Sequence, residues 1–171
     1  MNPESIEIER FDPQEHLSFV EPLTNLLHDA YSPLAARGMK YLASHQPPTK
    51  TLERLLEGES YLFFLKPQLV GTVTLYKEKY ESSCEYYRKN GVYSFGQFAT
   101  KPSLQGKGIG TRVMDYLENR AKELGAIELA LDTSEHADNL IQMYKKRSYE
   151  IVAYTKWDVV NYRSEIMSKK L

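Results

Sequence analysis

Between Val92 and Leu131 the chain runs strand, glycine-dense turn, helix, strand, and that succession constrains the fold more than any other feature. Val92 to Thr100 reads as a strand and feeds Gln105-Gly106-Lys107-Gly108-Ile109-Gly110. Ile109, Val113, Met114, Leu117, Ala121 and Leu124 then recur at helical spacing, and Gly125 ends the helix. Ile127 to Leu131 is a short apolar run, read as the second strand. Strands joined through a crossover helix are parallel neighbours. The turn between them is also a phosphate cradle. Its backbone N–H groups are uncovered by side chains, and the helix N-terminus adds partial positive charge.

The flanking patterns supply the remaining elements. Ile6 and Ile8 alternate with Glu7 and Glu9 as in a half-buried strand. Asp12-Pro13, with Glu15, is a capping-box-like helix start, followed by the stripe Leu17, Val20, Leu23 and Leu27 and a bend at Pro22. Ser32-Pro33 is expected to open a second helical piece reaching Leu42. Leu52, Leu55 and Leu56 mark a third, stopped by Gly58. Tyr61 to Leu65 and Leu69 to Tyr76 are expected to pair as a hairpin across Lys66-Pro67-Gln68. Residues 77–91 are charged and tyrosine-rich, a loop or an extended hairpin tip. Ala137 to Arg147 is helical, and Tyr149 to Lys156 and Tyr162 to Met167 close the chain as strands. The expected fold is one α/β (α+β) domain over residues 1–171. Its sheet is mixed and mostly antiparallel, of about six to seven strands, with helices on both faces.

Charge and composition exclude several classes. The 22 Lys and Arg against 23 Asp and Glu leave a net charge of −1, with no global field to attract nucleic acid or an anionic membrane. The charge is mildly polarised: residues 1–100 carry 10 basic and 13 acidic side chains, and residues 101–171 carry 12 and 10. Cys84 is the one cysteine, which excludes an internal disulfide and a cysteine metal cage. His16, His28, His45 and His136 lack metal-ligand spacing, so no metal is expected. Ser134, His136 and Asp138 crowd one short loop, a spacing that cannot give a nucleophile–base–acid triad. No apolar run is of membrane-spanning length, and the first residues lack a signal-peptide apolar region. A cytoplasmic location is expected.

The glycine turn fails two competing phosphate motifs. Thr111 stands where the dinucleotide fingerprint needs its third glycine, and Lys107 precedes glycine rather than Ser or Thr as in a Walker loop. What Gln105, Gly108 and Gly110 match is Gln/Arg-x-x-Gly-x-Gly/Ala. Here the chain resembles the GCN5-related N-acetyltransferase family. Phe98-Ala99-Thr100-Lys101-Pro102 is similar to the end of that family's fourth strand, residues 103–111 to its loop and helix start, and Ala137 to Tyr149 to its next helix. The resemblance implies an acyl-CoA N-acyltransferase-like fold and acetyl-CoA as co-substrate. The N–H groups of Gly106, Lys107, Gly108, Ile109, Gly110 and Thr111 would meet the pyrophosphate, with Gln105 in the loop and charge from Lys107 or Arg112. Phe98, Ala99 and Thr100 would offer backbone groups to the pantetheine arm. Tyr144 would protonate the leaving thiolate, and Asn139 would reach the cofactor.

Departures from the family pattern leave the base open. Ala137 replaces a frequent asparagine, Ser148-Tyr149 replaces a Gly-aromatic pair, and Val92 to Lys101 holds no carboxylate, Gln97 being its one long uncharged polar side chain. Glu78, Glu81, Glu85, Asp132 or a water chain remain as bases. Tyr31, Tyr80, Tyr86 and Tyr87 either line an acceptor pocket or lie on the surface. The implied activity is acetyl transfer from acetyl-CoA to a primary amine of a small molecule or a protein, by direct attack in a ternary complex. The rivals are a catalytically silent CoA-binding sensor and a nucleotide-binding regulator. Analogy with similar proteins also suggests a homodimer.

Overall fold

The structure, a computed structural model, describes residues 5–171. The start of the expected leaderless N-terminus, residues 1–4, lies outside that range. The strands are β1 (Glu7–Arg10), β2 (Glu59–Leu65), β3 (Gln68–Tyr76), β4 (Val92–Thr100), β5 (Glu128–Ser134), β6 (Glu150–Thr155) and β7 (Ser164–Lys170). They form one seven-stranded sheet in the order β1-β2-β3-β4-β5-β7-β6. β4 and β5 are parallel, as the crossover requires, and every other pairing is antiparallel. The helices are α1 (Pro13–His16), α2 (Val20–Ala36), α3 (Pro48–Leu56), α4 (Ile109–Glu123) and α5 (Asp138–Lys145).

Strand alternation divides the core between the two faces. On β2, Tyr61 and Phe63 pack with Ile109, Val113 and Leu117 of α4 and Ile141 of α5. Leu62 and Phe64 turn the other way, onto Leu23 and Leu27 of α2 and Leu55 of α3. The mostly antiparallel mixed sheet with helices on both faces is thus as the patterns require.

The first helical region differs from expectation. Asp12 caps α1 by accepting from the Gln14 N–H at 2.9 Å, but the reciprocal acceptor for the Asp12 N–H is His16 Nδ1 at 2.9 Å, not Glu15. The break falls in a 3-10 turn at Leu17–Phe19, ahead of Pro22, and leaves Leu17 exposed rather than in the apolar stripe. Pro33 does not open a second helix; α2 runs through it. Proline deprives the Asp29 carbonyl of its helical N–H partner, and the Ser32 hydroxyl donates to that carbonyl at 2.9 Å instead. Gly38, at φ 86°, follows the end of α2.

One irregularity makes the site. β4 and β5 share register only at Val92–Glu128, Tyr93–Leu129 and Ser94–Ala130. Beyond Ser94, β4 follows β3 while β5 stays paired with β7 as far as Ser134. Between the pairs Thr74–Gly96 and Thr72–Ala99, β4 has Gln97 and Phe98 facing the single residue Val73. Gln97 takes up this β-bulge at φ 49°, in the left-handed region. A bulge bends its strand, and this one lies where β4 parts from β5.

Candidate active site

The glycine turn sits at the mouth of this opening. Gly106 and Gly108 adopt φ 73° and 83°, conformations that disfavour a side chain. Gly108 is the N-cap residue of α4, and no side chain caps the helix, so its first-turn N–H groups are free to bind. A Cβ at Gly106 would meet nothing within 4 Å, and one at Gly110 would meet only the Phe98 ring at 3.9 Å. Packing does not demand these bare positions; the backbone conformation accounts for Gly106, and the bareness leaves the N–H groups open to an anion. Ile109, fully buried, anchors the exposed loop to the core. Gln105 Nε2 donates to the Thr100 carbonyl at 3.3 Å, closing the loop onto the strand. A pyrophosphate fits this cradle, with Lys107 exposed beside it.

The strand leading into the loop is open on one side. Ala99 and Thr100 pair with Thr72 and Gly71 of β3, and the Lys101 N–H donates to the Val70 carbonyl at 2.8 Å. Alternation then turns the backbone groups of Thr100 away from β3 and those of Ala99 toward it. Phe98 also faces the opening, and its carbonyl accepts from the Tyr31 hydroxyl at 2.9 Å. The Thr100 N–H is therefore turned away from β3, Phe98 gives its carbonyl to Tyr31, and Ala99 is engaged with β3.

The opening widens into a cleft of about 900 Å3, with Tyr31, Tyr41, Arg54, Phe98, Asp132 and Tyr144 among its walls. Tyr144 packs its ring on Phe95 and Tyr149 at centroid distances of 6.0 and 5.8 Å. It is thus a core aromatic and a cleft residue at once. Burial raises the pKa of its phenol well above the ordinary value, so it stays protonated at neutral pH.

Asp132 is surrounded by protein yet open to the solvent that fills the cleft. Its Oδ1 accepts from the Tyr87 hydroxyl and its Oδ2 from Trp157 Nε1, each at 3.0 Å. The Tyr87 and Trp157 rings lie nearly parallel, 6.2 Å apart. Burial raises the Asp132 pKa, against those two hydrogen bonds and the nearby charges of Lys79 and Arg54. Lys79 Nζ stands 3.6 Å from the centroid of the Tyr76 ring, and burial lowers its pKa.

The other sequence candidates scatter. Glu78 lines the cleft but accepts from the Gly91 N–H at 3.0 Å. Glu81 and Tyr80 are exposed cleft residues, and Glu85 is exposed and faces Arg88 at 3.6 Å. Tyr86 is half-buried and donates to Glu128 at 2.5 Å. Asn139 is exposed on the first turn of α5. The structure adds residues that no motif marks: Tyr41, Gln46, Arg54, Trp157 and Tyr162. Tyr41 meets the Thr133 hydroxyl at 2.8 Å and accepts from the Ser134 N–H at 3.0 Å, while its ring packs on Tyr162. The tyrosine content of the chain hinted at an aromatic pocket, but its membership follows from the fold.

Comparison with known proteins agrees with this geometry. The profile of the acetyltransferase (GNAT) family matches residues 20–149. S-(2-succino)cysteine N-acetyltransferase of Bacillus subtilis (strain 168) is 28% identical over 131 residues, covering 75% of this chain and 77% of that protein. A Bacillus subtilis acetyltransferase solved in complex with CoA superposes with a TM-score of 0.66 at 19% identity, covering 97% of this chain and 99% of that one. A GNAT family acetyltransferase from Elizabethkingia anophelis, solved with acetyl-CoA bound, gives 0.67 at 15% identity, covering 98% and 99%. Among the described residues no helix is long and apolar enough to cross a membrane. The chain belongs to the acetyltransferase (GNAT) family and transfers an acetyl group from acetyl-CoA to an amine.

Proposed function

We propose that the chain acetylates a small-molecule primary amine held in the cleft, by direct attack in a ternary complex, with Asp132 as general base and Tyr144 as proton donor. The observation that carries this reading is that one cleft, opening beside the free edge of β4, contains both side chains. Acetyl-CoA supplies an activated thioester when bound, on the cradle from Gly106 to Thr111 and along Phe98 and Thr100. Asp132 keeps lone pairs beyond those used by Tyr87 and Trp157, and its raised pKa suits it to take a proton from an ammonium. Tyr144 retains its phenolic proton and can deliver it to a leaving thiolate. Tyr31, Tyr41 and Phe98 give the cleft aromatic walls.

Two features favour a small acceptor over a protein. The cleft takes in residues 77–82 and side chains from Trp157 to Tyr162, and its volume of about 900 Å3 suits a small ligand. The Bacillus subtilis relative is named for a small amino-acid acceptor. Thiol release from acetyl-CoA, measured across small amines and lysine peptides, tests the proposal. Turnover confined to small amines, lost in Tyr144→Phe and Asp132→Asn, is the expected outcome. Turnover confined to peptides overturns it. The near-neutral charge and single buried cysteine support a cytoplasmic setting. Exposed Val152 and Tyr154 on the edge strand β6 support pairing with a second copy, which sedimentation would detect.

A further inference from the structure

Arg54 lies on α3, half-buried, and lines the cleft. Its Nη1 donates to Gln46 Oε1 at 2.7 Å, and among the described residues no carboxylate forms an ion pair with it. Cations in such surroundings are ordinarily paired, because desolvation penalises an uncompensated charge. The Arg54 contact also determines how two buried amides point. A guanidinium only donates, so Gln46 must present its oxygen to Arg54. Its Nε2 then donates to Thr51 Oγ1 at 2.8 Å and to Gln97 Oε1 at 3.0 Å. Gln97 is left with a covered Nε2 that has no partner among the described residues. The same residue holds the strained φ of 49° at the bulge. An unsatisfied donor and a left-handed backbone each weaken the fold, and such features persist where a site needs them.

This corner of the cleft is rich in donors and short of acceptors. Asp132 accepts from Tyr87 and Trp157 and keeps free lone pairs, but among the described residues it forms no ion pair with Arg54, and Glu78 accepts from the Gly91 N–H. Glu57 and Glu81, the other carboxylates of the cleft wall, are exposed. Arg54 is nonetheless near enough to Asp132 for its charge to act there. A ligand bearing an amine at Asp132 and an anion at Arg54 would satisfy both ends. An amine without an anion would leave the guanidinium unpaired inside a filled cleft.

We propose that the acceptor is an amino acid, whose carboxylate is received by Arg54 while its amine faces Asp132. The proposal rests on reading the cleft as the acceptor pocket. The Arg54 fork suits a planar carboxylate bidentately, and its contact with Gln46 orients the guanidinium. Polyamines and aminoglycoside-like polycations are disfavoured, since they would bring positive charge to Arg54.

The test compares L-α-amino acids with their carboxamides in the thiol-release assay, using the intact chain. The acid of the best pair is expected to exceed its amide by about 10- to 100-fold in kcat/KM, the worth of a charge-assisted carboxylate contact. Arg54→Met should collapse that ratio toward one, and Arg54→Lys should restore part of it. The wild-type ratio needs no variant, so misfolding of a variant would not spare the proposal. Equal turnover of acid and amide overturns the carboxylate subsite while leaving the amine chemistry intact. Turnover of peptide amines with none of any small amine would defeat the small-acceptor reading and the subsite together.

Discussion

Tyr31 reaches from α2 to the bulge of β4 and donates its hydroxyl to the Phe98 carbonyl at 2.9 Å, across 67 residues of sequence. This bond ties one face helix to the strand edge that parts from β5. Tyr31→Phe keeps the ring but leaves the carbonyl without its donor. We expect a loss of about 1 kcal/mol in chemical denaturation. The KM for acetyl-CoA should also rise by a few-fold, because the edge of β4 is no longer held open in one geometry. An unchanged KM would mean that Tyr31 serves the acceptor side alone.

Gly110 separates stability from binding. Its Cβ would touch only Phe98 at 3.9 Å, and it lies in the first turn of α4. Gly110→Ala should therefore leave the fold intact or stabilise it by roughly 0.5 kcal/mol, through reduced freedom of the unfolded chain. The motif admits alanine here, so CoA binding should survive that change, whereas the larger side chain of Gly110→Leu would lift a pyrophosphate off the backbone and weaken the calorimetric Kd for CoA on the order of tenfold.

Tyr144→Phe preserves the packing on Phe95 and Tyr149 and removes only the hydroxyl. Thermal stability should hold while kcat falls on the order of 10²-fold. The KM for acetyl-CoA should stay close to that of the unaltered chain. A kcat within a factor of two would assign Tyr144 to the core alone.

Asp132 predicts a pH dependence whose sign follows from its raised pKa. The carboxylate acts as base only when ionised, so kcat/KM should rise with pH through a value above the ordinary 3.8. Asp132→Asn should lower kcat/KM at neutral pH on the order of 10²-fold and shift the acid limb toward the titration of the free amine. Stability runs the opposite way. Ionised Asp132 destabilises the fold, a cost that is absent below the ordinary aspartate range and develops as pH rises through the folded-state pKa. A wild-type acid limb that is unmoved in the variant would rule Asp132 out as the base.

Gly71 is required by close approach alone. A Cβ there would collide with the Ala99 carbonyl oxygen of β4 and lie 2.6 Å from the Phe63 ring. Gly71→Ala should cost about 2–3 kcal/mol by overpacking, read as a lower midpoint with an unchanged m-value.

Much of the fold was legible along the chain. The hairpin of β2 and β3 and the β4–α4–β5 crossover announce themselves through local period and turn residues. Pro33 misled because its remedy is a side-chain bond from Ser32 to Asp29, which no propensity encodes. Leu17 misled because helical spacing was read across a 3-10 turn. Within the site, Gly106, Gly108 and Gly110 stood out because backbone conformation and bareness are properties of the residues themselves. Arg54 and Gln46 did not, because their pairing with each other, and that of Gln46 with Gln97, exists only in the fold.

The division has a physical basis. The proposed donor site is built of consecutive N–H groups at a helix start, so Gln105 to Thr111 and the strand before them carried the acetyl-CoA expectation in sequence alone. A general base is chosen by environment: burial, two hydrogen bonds and neighbouring cations. Asp132 acquires these from Tyr87, Trp157, Lys79 and Arg54, which lie on separate segments brought together where β4 and β5 diverge. The proposed donor site stands in adjacent letters, and only the tertiary structure brought Asp132 and Tyr144 to one cleft.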